Sequence, residues 1–268
     1  MASTTSHPPP ATTITHTSKN HSIYSTFTAK NFLTDPVLTY LLNQTPWYHK
    51  AAALYHIIRI QLHACGYKKR AIYSSASTRP DHSPTDVEFN PQCAAVTLLP
   101  GSGGAFDVSP LGWTSILLHG IHKVFFYAGT KPWNGFFTQF VVPVERAKAA
   151  TFALGEDYYY IVFISTDVQH RGKGLAATVI GELQARAQEE GKPIWIEASA
   201  PNAHRVYLKC GFEDVGVDGV GSAGKGFRMG VGEADDKGDR CRGEGAVGVP
   251  VWPMVWWPEG YEKGKGRK

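Results

Sequence analysis

Residues 158–198 limit the fold more than any other part of the chain, because within them the hydrophobic period changes from strand to helix and back. Tyr158 to Ser165 reads Tyr-Tyr-Tyr-Ile-Val-Phe-Ile-Ser, β-branched and aromatic almost throughout. That composition predicts a strand buried on both faces at the centre of a sheet. From Gly174 the period is helical: Leu175, Val179, Ile180, Leu183 and Ala187 make one apolar stripe, ended by Gly191-Lys192-Pro193. Ile194 to Ala198 is again a short buried strand. A strand, tight turn, helix and strand of this length form a right-handed crossover between parallel neighbours.

The remaining segments are arranged around this unit. Ile23 to Phe27 reads as a short strand, followed by a helical pattern in Phe32, Leu33, Val37, Leu41 and Leu42. Leu54, Ile58, Leu62 and Cys65 mark a second helix that Gly66 ends. Arg70 to Ser74 and Ala94 to Leu99 predict an antiparallel strand pair. Ser109-Pro110 opens a helix running to about Tyr127, and another covers Phe136 to Leu154, kinked or split at Pro143. Pro201-Asn202 starts a helix that ends at Gly211, with Asn202 as its expected N-cap. Phe212 to Val217 begins a strand, and Val249 to Trp257 supplies the last. Between them, the Gly-rich stretch 219–248 reads as a long mobile loop. With 43% hydrophobic residues in 268, the chain can bury one sizeable core. The expected organisation is a disordered tail over 1–22, a single domain over 23–260 with a helical insertion at 109–154, and a basic tail over 261–268.

The bulk numbers exclude several classes. A formal net charge of +4, with basic residues scattered except at the C-terminal end, gives no nucleic-acid stripe. No apolar run approaches the roughly 20 residues that span a bilayer, and no secretory signal opens the chain, so no membrane partner is expected. Four cysteines without a C-x-x-C pair fit a reducing, cytoplasmic setting. His119 and His122 lie three apart, but no third ligand has suitable spacing, so no metal is expected.

The turn Arg171-Gly172-Lys173-Gly174-Leu175-Ala176 joins the central strand to its helix, so backbone N–H groups and the positive end of the helix dipole meet there. Such a place binds anions. A P-loop needs G-x-x-x-x-G-K-S/T, and a dinucleotide turn needs a third glycine; neither is present. What remains is R/Q-x-x-G-x-G/A, met by Arg171, Gly174 and Ala176. Two glycines that merely tighten a turn would produce the same letters.

Downstream lies Glu197-Ala-Ser-Ala-Pro-Asn-Ala-His-Arg-Val-Tyr207-Leu-Lys-Cys-Gly211-Phe212. The two motifs together resemble the GNAT superfamily of acyl-CoA N-acyltransferases, and within it the puromycin N-acetyltransferase type, over about Tyr158 to Val217. The resemblance implies the GNAT fold, an α/β (α+β) mixed sheet with splayed parallel central strands flanked by helices and a helical insertion before the coenzyme-binding strand. It implies acetyl-CoA as cosubstrate. Main-chain groups of Ile164, Ser165 and Thr166 would meet pantetheine, and Arg171, Gly172, Lys173, Gly174, Leu175 and Ala176 the diphosphate. His170, beside Arg171, reads either as an aid to coenzyme binding or as a solvated turn residue.

Tyr207 matches the family tyrosine that protonates the leaving thiolate, a task open to a phenol of ordinary pKa near ~10. Because Ala203, Tyr207 and Cys210 share a helix face, the ring can equally be a packing residue. Glu197 is a candidate base for the substrate ammonium, or a buried carboxylate satisfied by neighbours. Relatives often carry an asparagine where this chain has Ala200, so that contact is not carried over. The expected function is N-acetylation of a small amine by direct transfer, in a pocket lined by some of the aromatics of the insertion and last strands, such as Trp113, Trp133 and Trp252. The alternatives are a protein lysine or N-terminal acetyltransferase, or a non-catalytic acyl-CoA-binding member.

Overall fold

The computed structural model describes residues 13–17, 21–66, 71–77, 91–102, 118–216 and 226–262. One mixed sheet runs through the molecule. β1 (Thr13–Thr17), β2 (Ala71–Ser77), β3 (Cys93–Leu98) and β4 (Tyr159–Thr166) pair antiparallel in that order. β5 (Ile194–Ala198) lies parallel to β4, as the crossover requires. β6 (Glu213–Asp214) and β7 (Phe227–Met229) are short, and both pair antiparallel with the long β8 (Val249–Trp256), which also borders β5.

Helices cover both faces. α1 (His21–Asn31) and α3 (Trp47–Gly66) pack together over one face, where Tyr24, Leu54, Ile58 and Leu62 meet Tyr73, Val96, Tyr160 and Trp195. α2 (Pro36–Leu41) follows α1 after a short turn. α4 (Ile121–Ala128) packs on α3. α5 (Lys131–Gly135) then runs into one π-helical stretch, Phe136–Val141, and on into α6 (Val142–Thr151), with Pro143 just after the junction, so that the irregular turn falls where proline lacks its N–H. On the opposite face lie α7 (Leu175–Glu189) and α8 (Pro201–Lys209), whose Ile180 and Tyr207 pack with Tyr159, Ile161 and Ile196.

Four expectations are corrected. Ile23 to Phe27 is helical, because Tyr24 and Phe27, three apart, are both buried on the α1 stripe and no alternation exists. Thr13–Thr17, placed by sequence in a disordered tail, is an edge strand paired with β2 from Thr13–Ser77 to Thr17–Tyr73. Asn202 is not the N-cap of α8; Ala200 holds that position, and Asn202 Oδ1 accepts from Arg205 instead. The described part of the supposed mobile loop, 226–248, is ordered. Asp235 Oδ1 accepts from the N–H groups of Lys237 and Asp239, and Met229 and Ala234 are buried with Val37, Tyr40, Leu41, Val249 and Val251. This segment therefore covers α2 and the start of β8. The expected helix from Ser109 begins outside the described residues, as does Trp113.

Candidate active site

The parallel pairing of β4 and β5 stops early. Tyr159, Tyr160 and Ile161 pair with Ile194, Trp195 and Ile196, and no partner on β5 continues the ladder past Ile161. Ile164, Ser165 and Thr166 pair only with β3, opposite Ala95, Ala94 and Cys93, while Glu197 and Ala198 pair only with β8. The two central strands therefore part at their C-terminal ends, leaving the β5-facing main chain of Val162 to Thr166 without a strand partner. A bulge prepares this split: Val96 faces Phe163 and Thr97 faces Ile161, so Val162 is an extra residue in β4. Consequently Val162 and Phe163 both pack against the α1–α3 face, while Ile161 and Ile164 pack on the other.

β4 ends in one short 3₁₀ turn, Val168–His170, capped by Asp167, which accepts from the Gln169 N–H and pairs with Lys30 of α1 at 3.1 Å. These hydrogen bonds and the Lys30 charge hold the Asp167 carboxyl below its ordinary pKa. Arg171 Nε donates to the Thr166 carbonyl at 3.3 Å, and His170 Nδ1 lies 3.6 Å from Asp167. Gly174 then caps α7, whose first-turn amides at Leu175 and Ala176 have no carbonyl within the helix to bond. The sequence-derived set, Ile164 to Thr166 with Arg171 to Ala176, thus forms one continuous line from the open strand edge to the helix start. Buried Ser165 has an Oγ without a hydrogen-bond partner.

Tyr207 reaches the same split from α8. Its ring lies in the apolar cluster of Ile161, Ile196, Ala198 and Phe212. Burial first, then the charges of Asp35, Cys93, Cys210 and Glu197, push its pKa far up, so the phenol stays protonated at neutral pH. Glu197 sits one residue past the end of the β4–β5 ladder. Its Oε2 accepts from the Tyr160 hydroxyl at 2.8 Å and its Oε1 from Trp195 Nε1 at 2.5 Å. Burial raises the Glu197 pKa, opposed by Lys148 and these two donors. Burial alone would lower the Lys148 pKa, but Glu197, Tyr158 and Glu145 outweigh it; Lys148 bonds Glu145 at 3.0 Å and lies 4.3 Å over the Tyr160 ring.

A second carboxylate was not foreseen. Asp35 caps α2, accepting from the Leu38 N–H at 3.0 Å, and its Oδ2 accepts from the hydroxyl of Ser199, the first residue after β5. Burial raises its pKa, against the pull of those donors. The Asp35-Pro36 pair is a legible helix start, but nothing local says that the cap faces Ser199. Five residues along α2, about 7.5 Å at the helical rise, Tyr40 helps line a cavity of 710 Å³ with Gln44, Lys131, Gln139, Glu233 and Arg240. Its wall is polar and apolar in nearly equal parts, and among the described residues Tyr40 is the one aromatic lining it, unlike the aromatic pocket expected from composition. His119 stacks on His63 at 3.8 Å, and among the described residues no group of three His, Cys, Asp or Glu is placed to hold a metal.

Comparison with known proteins adds to this geometry. Residues 129–212 match the sequence profile of the Acetyltransferase (GNAT) family. Over that stretch, about a third of its length, the chain is similar to GNAT acetyltransferases. It is also 26% identical over 120 residues to an uncharacterized N-acetyltransferase of Schizosaccharomyces pombe, an alignment covering 44% of this chain and 47% of that one. The match thus spans about half the length of this curated relative. Solved structures with similar folds include a histone acetyltransferase HPA2-related protein of Corynebacterium glutamicum, with a TM-score of 0.47, 16% identity, and coverage of 92% and 96% of the two chains. Arylalkylamine N-acetyltransferase 2 of Aedes aegypti gives a TM-score of 0.44, 14% identity, and coverage of 91% and 98%. The profile match takes in β4, the glycine turn and the Tyr207 helix together, from the GNAT family's own sequence pattern. It speaks to the GNAT family and not to the puromycin type. Among the described residues, no helix is long and apolar enough to cross a membrane.

Proposed function

We propose that the chain is an acetyl-CoA-dependent N-acetyltransferase that acts on a small amine by direct transfer. The observation that carries this reading is the early end of the β4–β5 ladder, which leaves main chain open between the glycine turn and Tyr207. Acetyl-CoA, when bound, supplies the thioester. The residues fit it: the orphan Oγ of Ser165 and the free amides of the α7 start need polar partners, and the turn has open space in front of it.

The roles of the chain's own groups follow. Amides of Leu175 and Ala176, with Arg171 and Lys173 nearby, hold the diphosphate, and the edge of Ile164 to Thr166 positions the pantetheine arm. Tyr207 holds a proton for the departing sulfur; burial keeps the phenol protonated at neutral pH and makes it a weaker acid than a free phenol. Glu197 takes a proton from the substrate ammonium, so that the neutral amine attacks the thioester carbon and the thiolate leaves with the proton of Tyr207. Asp35 is a second reading for that base, favoured by its bond to Ser199 and by its being the foremost charge acting on Tyr207. The cavity beside α2 suits a small acceptor with hydrogen-bonding groups, as in family members named for amine substrates.

Thiol release from acetyl-CoA over a panel of amines and peptides tests the reading, and no turnover with any amine refutes it. Tyr207→Phe is expected to lower kcat by about 100-fold while leaving acetyl-CoA affinity unchanged. The base must be ionised to act, so kcat/KM falls as pH drops through its pKa, and burial sets that limb above the usual carboxylate range. Glu197→Gln abolishes the limb if Glu197 is the base. Loss of the limb in Asp35→Asn, with its retention in Glu197→Gln, transfers the role to Asp35 and Ser199.

A further inference from the structure

Away from the cleft, the outer face formed by the first turn of α3 and by α4 has an unusual composition. Trp47 is 84% exposed and Phe126 78% exposed, with Tyr48, Phe125 and Phe137 also on the surface. Single exposed apolar residues are ordinary, but these are joined. Trp47 contacts Tyr48 at 5.8 Å, Tyr48 contacts His49 at 4.5 Å, and His49 contacts Phe126 at 6.4 Å. Phe125, next in the chain to Phe126, stacks on Trp133 at 5.4 Å, and Trp133 on Phe137 at 6.2 Å. The rings form two chains, one across α3 and α4 and one from α4 over α5 to the π-helical stretch, that meet at the neighbouring residues Phe125 and Phe126.

Charge along the same segments is one-sided. From Pro36 to Gly66 and from Leu118 to Val144 there is no Asp or Glu, whereas Lys50, Arg59, Lys123 and Lys131 are present. These four cations equal the formal net charge of the whole chain, +4, so the remainder is balanced. Lys131 shares its charge with Glu233 at 3.5 Å; the other three form no ion pair among the described residues. Lys50 follows Trp47 by one helical turn, and Lys123 precedes Phe126 by one, so each cation flanks a protruding ring.

We infer that this face docks on an anionic lipid bilayer. Tryptophan, tyrosine and phenylalanine settle at the headgroup boundary, and flanking lysines and arginines draw the surface to negatively charged lipid. A second copy of the chain is the poorer occupant, because a two-fold contact would bring this uncompensated positive face against itself. The absence of a spanning segment says nothing about a helix lying in the interface plane.

The test is co-sedimentation of the full chain with vesicles of phosphatidylcholine alone and of equimolar phosphatidylcholine and phosphatidylserine, at low and high salt. Binding is expected to the phosphatidylserine vesicles and to weaken with salt. Trp47→Ala and Phe126→Ala are each expected to weaken it about tenfold, and Lys50→Glu and Lys123→Glu about fivefold or more each. All four side chains reach solvent, and circular dichroism confirms that each variant is folded. Absence of binding to phosphatidylserine vesicles, or binding indifferent to both ring substitutions, overturns the inference. So does a dimer in sedimentation velocity that Trp47→Ala dissolves, which would assign the face to a second copy.

Discussion

Two glycine-rich turns of this chain use the same residue for opposite reasons. At the start of α7, Gly172 and Gly174 have φ of +77° and +79°, and a Cβ on either would meet nothing within 4 Å. In the 226–248 segment, Gly238 has φ of +89°, and its Cβ would lie 2.3 Å from the Pro36 carbonyl oxygen and 2.6 Å from the Tyr40 amide nitrogen. In the first turn glycine keeps the backbone bare toward empty space; in the second it lets two stretches of backbone touch. The first is the mark of a place kept for a ligand, the second of a place already filled by the protein.

The contrast breaks first at Gly238. Gly238→Ala combines a left-handed φ with a backbone clash on α2, so it should cost about 3 kcal/mol or more. By thermal unfolding that is a fall of roughly 6–12 °C. Asp35 directly precedes Pro36, so amine KM should rise as well, while acetyl-CoA protection of the protein against unfolding persists. A normal melting temperature would mean that the 226–248 segment yields as freely as the mobile loop its composition suggests.

Gly174→Ala is expected to do the reverse. The Cβ has room, so only the left-handed strain of about 1–2 kcal/mol weighs on stability. The methyl group would, however, project into the space in front of the α7 amides. Losing about one amide bond to an anion weakens acetyl-CoA binding roughly tenfold or more, measurable as KM or by calorimetry with kcat largely kept. Unchanged affinity would return the turn to the other reading of its letters, a bend with no ligand.

What separated the legible from the illegible was range along the chain. β4, α7, β5 and α8 were readable because each is fixed by its own period, α7 and α8 are bounded by Gly or Pro, and the crossover rule then joins them. Tyr207 and the Arg171–Ala176 turn came with them. The 226–248 segment was not readable, since its order comes from Tyr40 and Val37 on α2, far off in sequence. Thr13–Thr17 looked like part of a tail because the partner that makes it a strand, β2, lies some sixty residues away. Asp35 was visible as a cap but not as a neighbour of Ser199. Glu197 was visible as a carboxylate on a buried strand, but not the Tyr160 and Trp195 donors that hold both its oxygens.

The smallest effect asks whether the open turn grips with backbone or with side chain. Arg171 is exposed, and its Nε is directed to the Thr166 carbonyl, within the protein. An exposed cation of this kind adds under about 1 kcal/mol in water, so Arg171→Ala should raise acetyl-CoA KM less than about fivefold, well below the effect of Gly174→Ala. Removing one screened charge also predicts a shallower dependence of KM on ionic strength, because amide-held anions carry less of that dependence than guanidinium-held ones. If Arg171→Ala instead weakens binding more than Gly174→Ala, the diphosphate is held by the arginine, and the bare backbone at Gly172 and Gly174 serves to aim that side chain.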